Sequence, residues 1–160
     1  MYTNGIDVRA EGSKGGLSLG WKEGVYVMLR SYSKSHIDIE VMENSEEECW
    51  HFIGFYGSPI EHKRKDSWNL LRQLKGNNKL PWLVMEDFNE ILYSFEKSGG
   101  RLREERQMLA FREALEDCEL NGLGFLGQWF TQERGRLPET HERVRFENSK
   151  NLFRFNATGC

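Results

Sequence analysis

The run Pro81-Trp82-Leu83-Val84-Met85 is apolar without interruption and stops abruptly at acid, Glu86-Asp87. Such a short continuous run reads as a strand buried on both faces, so the chain has to place it inside a sheet with further structure over each side. The segments around it supply candidates for that structure. Leu17-Ser18-Leu19-Gly20-Trp21 alternates strictly, and Val25 to Leu29, Ile37 to Val41 and Trp50 to Tyr56 follow with only short polar turns between them. Their spacing predicts an antiparallel meander, with Ile37, Ile39 and Val41 facing inward and Asp38 and Glu40 facing water. Gly12 to Gly16 reads as a flexible lead-in.

The period changes after Tyr56. Ser58-Pro59-Ile60-Glu61 has the form of a capping box with proline at the first helical position, and Trp68, Leu70, Leu71 and Leu74 make an apolar stripe that ends at Gly76-Asn77-Asn78. A second helix is predicted over 104–119, where Met108, Phe111, Leu115 and Cys118 share one face and therefore pack on a sheet. Beyond Gly124 the pattern weakens to a strand candidate at 128–131, a turn at 135–139 and a last fifteen or so residues without clear periodicity.

Composition narrows the function classes. A formal net charge of -3 gives no global basic field, so charge alone does not hold nucleic acid. The local basic runs His62-Lys63-Arg64-Lys65 and Arg101-Leu102-Arg103 read first as solvated surface and second as phosphate contacts. Cys49, Cys118 and Cys160 are odd in number and widely spaced, which argues against a disulfide framework and a zinc site and for a reduced, intracellular setting. Neither a signal peptide nor a membrane span is readable, which implies a soluble protein; nucleus and cytoplasm are not distinguished.

Asp87 and Asn89 stand two apart where the buried strand meets its loop, the place where a rigid strand fixes what a loop presents. There an Asp carboxylate suits a hydrated metal or an attacking water, and an Asn amide suits a phosphate oxygen. An isolated D-x-N is equally a turn, because both side chains bond their own backbone.

The wider segment decides how much weight that pair carries. Leu80-Pro81-Trp82-Leu83-Val84-Met85-Glu86-Asp87-Phe88-Asn89-Glu90-Ile91-Leu92 resembles the L-P-W-L-V-M-G-D-F-N-E-I-L signature of plant LINE-type retrotransposon endonucleases at every position but Glu86. The resemblance extends in order through Gly15-Gly16-Leu17, His36-Ile37-Asp38, Trp50 to Pro59 with Ser67-Trp68, Glu96 to Arg101, Phe111 to Cys118 with Leu120, and Phe130-Thr131. It implies membership of the endonuclease/exonuclease/phosphatase superfamily and an α/β fold, a DNase I-like layered sandwich of mixed, largely antiparallel sheets with flanking helices. It also implies in-line attack of water on DNA phosphodiesters with magnesium as cofactor. On that match Asp87 orients or deprotonates the water, Asn89 steadies the phosphate, Tyr56 reaches it with its hydroxyl, and Thr131 stands near the site. Core packing and strand propensity are the competing readings for Tyr56 and Thr131.

The departures from the family pattern point the other way. The family's asparagine and metal-binding glutamate precede the position of Gly15, and its closing Ser-Asp-His lies beyond this chain's last residues; His36, His51, His62 and His141 do not match that histidine. Glu86 replaces a glycine, so a metal has at most Asp87 or Glu86, and the added charge repels phosphate. Gln132 replaces a tryptophan, and Glu142 to Phe146 resembles a stretch from which the functional aspartate has dropped out. The expected organisation is a leader over 1–14, a partial domain over 15–146 and a degenerate tail over 147–160. The expected function is a catalytically silent remnant with at most weak nucleic-acid or protein binding, associating with itself through exposed sheet edges. The alternatives are an active magnesium-dependent endonuclease acting on DNA and a phosphatase for a small ester.

Overall fold

A computed structural model describes residues 4–9, 16–42, 49–77, 79–97, 99–122, 132–134, 140–142 and 146–147, with side chains described through residue 122 apart from that of Glu86. The centre is a five-stranded sheet in the order β3 (Tyr26–Ser33), β4 (His36–Met42), β5 (Cys49–Tyr56), β6 (Trp82–Asp87), β9 (Phe146–Glu147). β3, β4 and β5 form the expected antiparallel meander. β6 joins β5 in parallel, with His51 opposite Trp82 and Tyr56 opposite Asp87. A parallel neighbour needs a crossover of a dozen residues or more, and α1 (Arg64–Lys75) supplies it.

Strand β2 (Leu17–Trp21) departs from the expected meander. It pairs with β1 (Asn4–Val8), a strand inside the stretch read from sequence as a leader, in a separate two-stranded ribbon with Ile6 opposite Leu19 and Val8 opposite Leu17. Those four side chains pack on Ile37, Ile39 and Val41 of β4. Alternation tells which face of β2 is apolar but not which strand it pairs with; the short turn after Trp21 carries the chain from one layer to the next. Two further small strands, β7 (Gln132–Arg134) and β8 (Thr140–Glu142), pair with each other. The strand candidate at 128–131 and the turn at 135–139 lie outside the described residues.

The other face of the sheet is covered by α1 and α2 (Glu105–Asp117). Trp68 and Leu71 of α1, Met108, Phe111, Ala114 and Leu115 of α2, and Cys118 just beyond are all buried, as the stripes predict. Trp68 stacks on Phe111 at 4.6 Å between ring centroids. Gly76 closes α1 at a φ of 49°, a left-handed conformation that glycine adopts without steric cost. The start of α1 differs from the capping box: Ser58 Oγ accepts the Ile60 amide at 3.2 Å, a short 3-10 turn follows over Glu61–Lys63, and only then does the α-helix begin.

Because structure lies on both sides of the sheet, polar side chains of β4 expected in water are enclosed. Asp38 is buried, as are His36 and His51. A register shift between Leu29 and Ser31 leaves Arg30 unpaired in the ladder. Its guanidinium turns in to His51 and lies 3.9 Å from Asp38. His51 has Glu40 at 3.8 Å, and His36 bonds Ser31 and Ser33. Burial, then Arg30, hold His51 down at a pKa of about 4, burial lowers that of His36, and burial raises the Asp38 carboxyl. β6 is buried on one face rather than two: Trp82 and Val84 are enclosed under the helices while Met85, on the other face, is 42% exposed.

Candidate functional site

Two neighbouring parallel strands end side by side, and the alternation of the pleat decides what each end presents. Phe55 and Val84 point toward the helices and belong to the core they form. Tyr56 and Asp87, one position on from Phe55 and three from Val84, share the opposite face, directly across the ladder from each other. Both are half-buried. Phe88 then dives back into the core, fully buried, with ring centroids 5.7 Å from Phe55, 6.1 Å from Trp68 and 4.9 Å from Phe111. This aromatic cluster anchors the strand end so that the residues flanking Phe88 are held and not merely tethered.

A closed set of hydrogen bonds then ties the two strand ends together. Gly57 N donates to the Asp87 carbonyl at 2.8 Å, Asn89 Nδ2 donates to the Gly57 carbonyl at 2.9 Å, and Asn89 N donates to Asp87 Oδ1 at 3.1 Å. The last is the turn geometry that Asp-x-Asn favours, and Asn89 sits at a φ of 55°, in the left-handed region that asparagine tolerates better than most residues. The turn reading and the site reading of this pair therefore coexist: the turn is what fixes the carboxylate. An amide nitrogen carries two hydrogens, so the bond to Gly57 uses one of the donors Asn89 has. Gly57 is obligatory here. A Cβ on it would stand 2.2 Å from the Phe88 carbonyl oxygen.

Beneath the loop lies a buried charge network that sequence reasoning missed. Glu90, whose side chain is 0% exposed, receives Arg64 at 2.8 Å on Oε2 and Arg103 at 3.1 Å on Oε1, and Oε1 also accepts the Ile91 amide at 3.1 Å. Arg64 bonds Gln107 and the carbonyls of Ser58 and Pro59 as well, while burial lowers its pKa against the pull of Glu90. Arg103 reaches the Asn89 carbonyl at 3.4 Å. The basic runs are thus divided: His62, Lys63, Lys65 and Arg101 are exposed, whereas Arg64 and Arg103 turn in to Glu90. A signal was present, since an arginine between lysines is the residue whose planar fork suits a buried carboxylate.

Of the residues singled out from the sequence, Tyr56, Asp87 and Asn89 are brought together at the ends of β5 and β6. Thr131 lies outside the described residues, as does the side chain of Glu86, whose backbone continues β6 opposite Phe55. Among the described residues no group of three His, Cys, Asp or Glu side chains stands placed to hold a metal ion. Also among the described residues, no helix is long and apolar enough to cross a membrane.

No protein-family model matches the sequence, and no curated protein does. Among solved structures, the endonuclease domain of TRAS1, a telomere-specific non-LTR retrotransposon, superposes with a TM-score of 0.63 at 9% sequence identity, over 90% of this chain and 64% of that one. The fold is DNase I-like. In this DNase I-like frame the chain spans 64% of the length of the TRAS1 domain it matches, and the mixed sheet with its covering helices is the α/β architecture expected from the sequence.

Proposed function

We propose that this chain is the core of a retrotransposon-type, metal-dependent endonuclease domain, of the kind plant LINE elements carry, and that its 160 residues alone do not cleave DNA. The observation that carries the reading is the pairing of Tyr56 with Asp87 on one sheet face, locked by Asn89 to Gly57. A phenol hydroxyl and a carboxylate at adjacent strand ends suit a phosphate and the water that would attack it in line. The motif around Asp87-Phe88-Asn89 and the DNase I-like fold support the same origin.

Silence is the reading that the departures from the family pattern support: a water-positioning carboxylate without groups that neutralise charge developing on phosphorus forfeits most of the catalysis, and Glu86 in place of the family's glycine adds charge that repels phosphate. What remains suits binding of nucleic acid without turnover. The test is a plasmid-nicking assay with magnesium, run on the chain and on Asp87→Ala. No nicking by either protein is expected; magnesium-dependent nicking that disappears in Asp87→Ala would restore the enzyme reading.

A further inference from the structure

The loop that leaves the site at Asn89 carries a feature the catalytic reading does not use. Tyr93 and Phe95 stack with their rings 5° from parallel and centroids 5.5 Å apart, yet they are 46% and 64% exposed. An aromatic pair of this kind normally belongs in a core, and here its loop is held rigidly in the open. Glu96 Oε2 accepts the amides of Leu92 at 2.7 Å and Tyr93 at 3.3 Å. Arg112 of α2 donates to the Leu92 carbonyl at 2.6 Å, is itself held by Glu105, and sets its guanidinium carbon 5.1 Å over the Tyr93 ring. The rings are thus preorganised, so a ligand stacking on them pays little to order them.

Resting on the nuclease-derived reading above, we propose that Phe95, backed by Tyr93 and Arg112, is a stacking platform for an unpaired base of the nucleic acid whose backbone passes Asp87 and Asn89. Four considerations select this occupant. Phe95 has its stacking partner on one side and leaves the rest of a flat ring to solvent, the shape that fits a flat heterocycle; base faces are available to such a ring only where the strand is unpaired. The loop is positioned for it: Phe95 is six residues from Asn89, at most about 22 Å of chain, a span that about six nucleotides cover at the spacing of one strand. Its far arm returns to the site through the contact of Arg103 with the Asn89 carbonyl. Lys97, whose Nζ donates to the Arg101 carbonyl at 2.9 Å, and the exposed Arg101 lie along the same loop and favour a polyanion. Finally, a chain with a net charge of -3 has no global field to supply affinity, and stacking does not require one.

The experiment measures binding by fluorescence anisotropy in EDTA, with a fluorescein-labelled oligodeoxyadenylate of about a dozen nucleotides and an abasic strand of the same length. The base-bearing strand is expected to bind about tenfold more tightly, and that ratio should persist as salt weakens both. Phe95→Ala removes most of the preference and Phe95→Trp keeps it. A chain that nicks plasmid would overturn the silence of the site and leave this preference in place. Equal affinity for the two strands, no binding of either, or an unchanged preference in Phe95→Ala would each overturn the proposal. So would loss of self-association in Phe95→Ala with strand preference intact, which would make the aromatic pair a protein contact.

Discussion

Replacing Glu90 by glutamine tests whether the candidate site stands on a buried ionic support. The substitution keeps shape and removes one charge, leaving the enclosed Arg64 and the largely covered Arg103 without the carboxylate that both now contact at 2.8 and 3.1 Å. Removing one partner of a buried ion pair costs about 3–5 kcal/mol, because the surviving charge stays desolvated. Arg64 keeps its carbonyl and Gln107 acceptors, which argues for the lower end of that range. For a chain of this size each kcal/mol moves the melting temperature by about 2–4 °C, so a fall of roughly 6–20 °C is expected. Thermal unfolding followed by tryptophan fluorescence reads it, since Trp68 and Trp82 are both buried in the affected core. Arg64→Met combined with Glu90→Gln should cost less than the two changes added together, as the pair shares one interaction. The loss should also survive high salt, which screens surface pairs such as Arg72–Asp117 far more than enclosed ones. A Glu90→Gln melting point within about 2 °C of the parent would refute the reasoning.

Three other outcomes follow from the same structure. His51, whose pKa is about 4 in the fold against 6.5 in the unfolded chain, contributes stability that is complete above pH 6.5 and is lost as pH falls toward 4. At about 1.4 kcal/mol per unit this is on the order of 3 kcal/mol; His36 adds in the same direction and Asp38, raised by burial, opposes it at the acid end. Urea midpoints measured from pH 7 to 4.5 should decline, and decline less in a His51→Gln variant. Gly57→Ala should destabilise by about 1–3 kcal/mol or more through overpacking, visible as a lowered urea midpoint, because its Cβ meets the Phe88 carbonyl; a parent-like midpoint would mean the strand ends part easily. Cys118, fully buried with its thiol pushed up to about 11 by that burial, should resist iodoacetamide at pH 8 until denaturant is added, as mass mapping would show.

The boundary between what the sequence made legible and what it did not follows the range of the interactions. The stripe Trp68, Leu71, Leu74, the stop at Gly76 and the face Met108, Phe111, Leu115 are local periodicities and match the structure. The alternation in β2 was legible, but its partner β1 was not, because pairing is a contact between segments and a single strand carries no record of it. Asp38 was expected in water since a strand pattern does not say how many layers cover the sheet. Within the candidate site, Asp87 and Asn89 could be found from their place at a strand end, and the family resemblance added Tyr56. That Tyr56 stands across from Asp87 depends on a parallel ladder closed over the whole of α1. The need for Gly57 and the inward turn of Arg64 and Arg103 depend on Phe88 and Glu90, which are far from them along the chain.

The parallel register of β5 and β6 also sets how such a domain tolerates change. The crossover between the two strands can absorb added or lost residues in its turns, which stand outside the ladder. Inside Trp82–Asp87 there is no such slack: a slip of one residue exchanges the two sheet faces, so Asp87 would turn toward the helices and Trp82 and Val84 away from them. A point substitution alters one side chain of this strand, whereas one missing codon turns every strand residue on one side of the gap to the opposite face. Loss of function by deletion is therefore abrupt here even where the composition of the segment hardly changes.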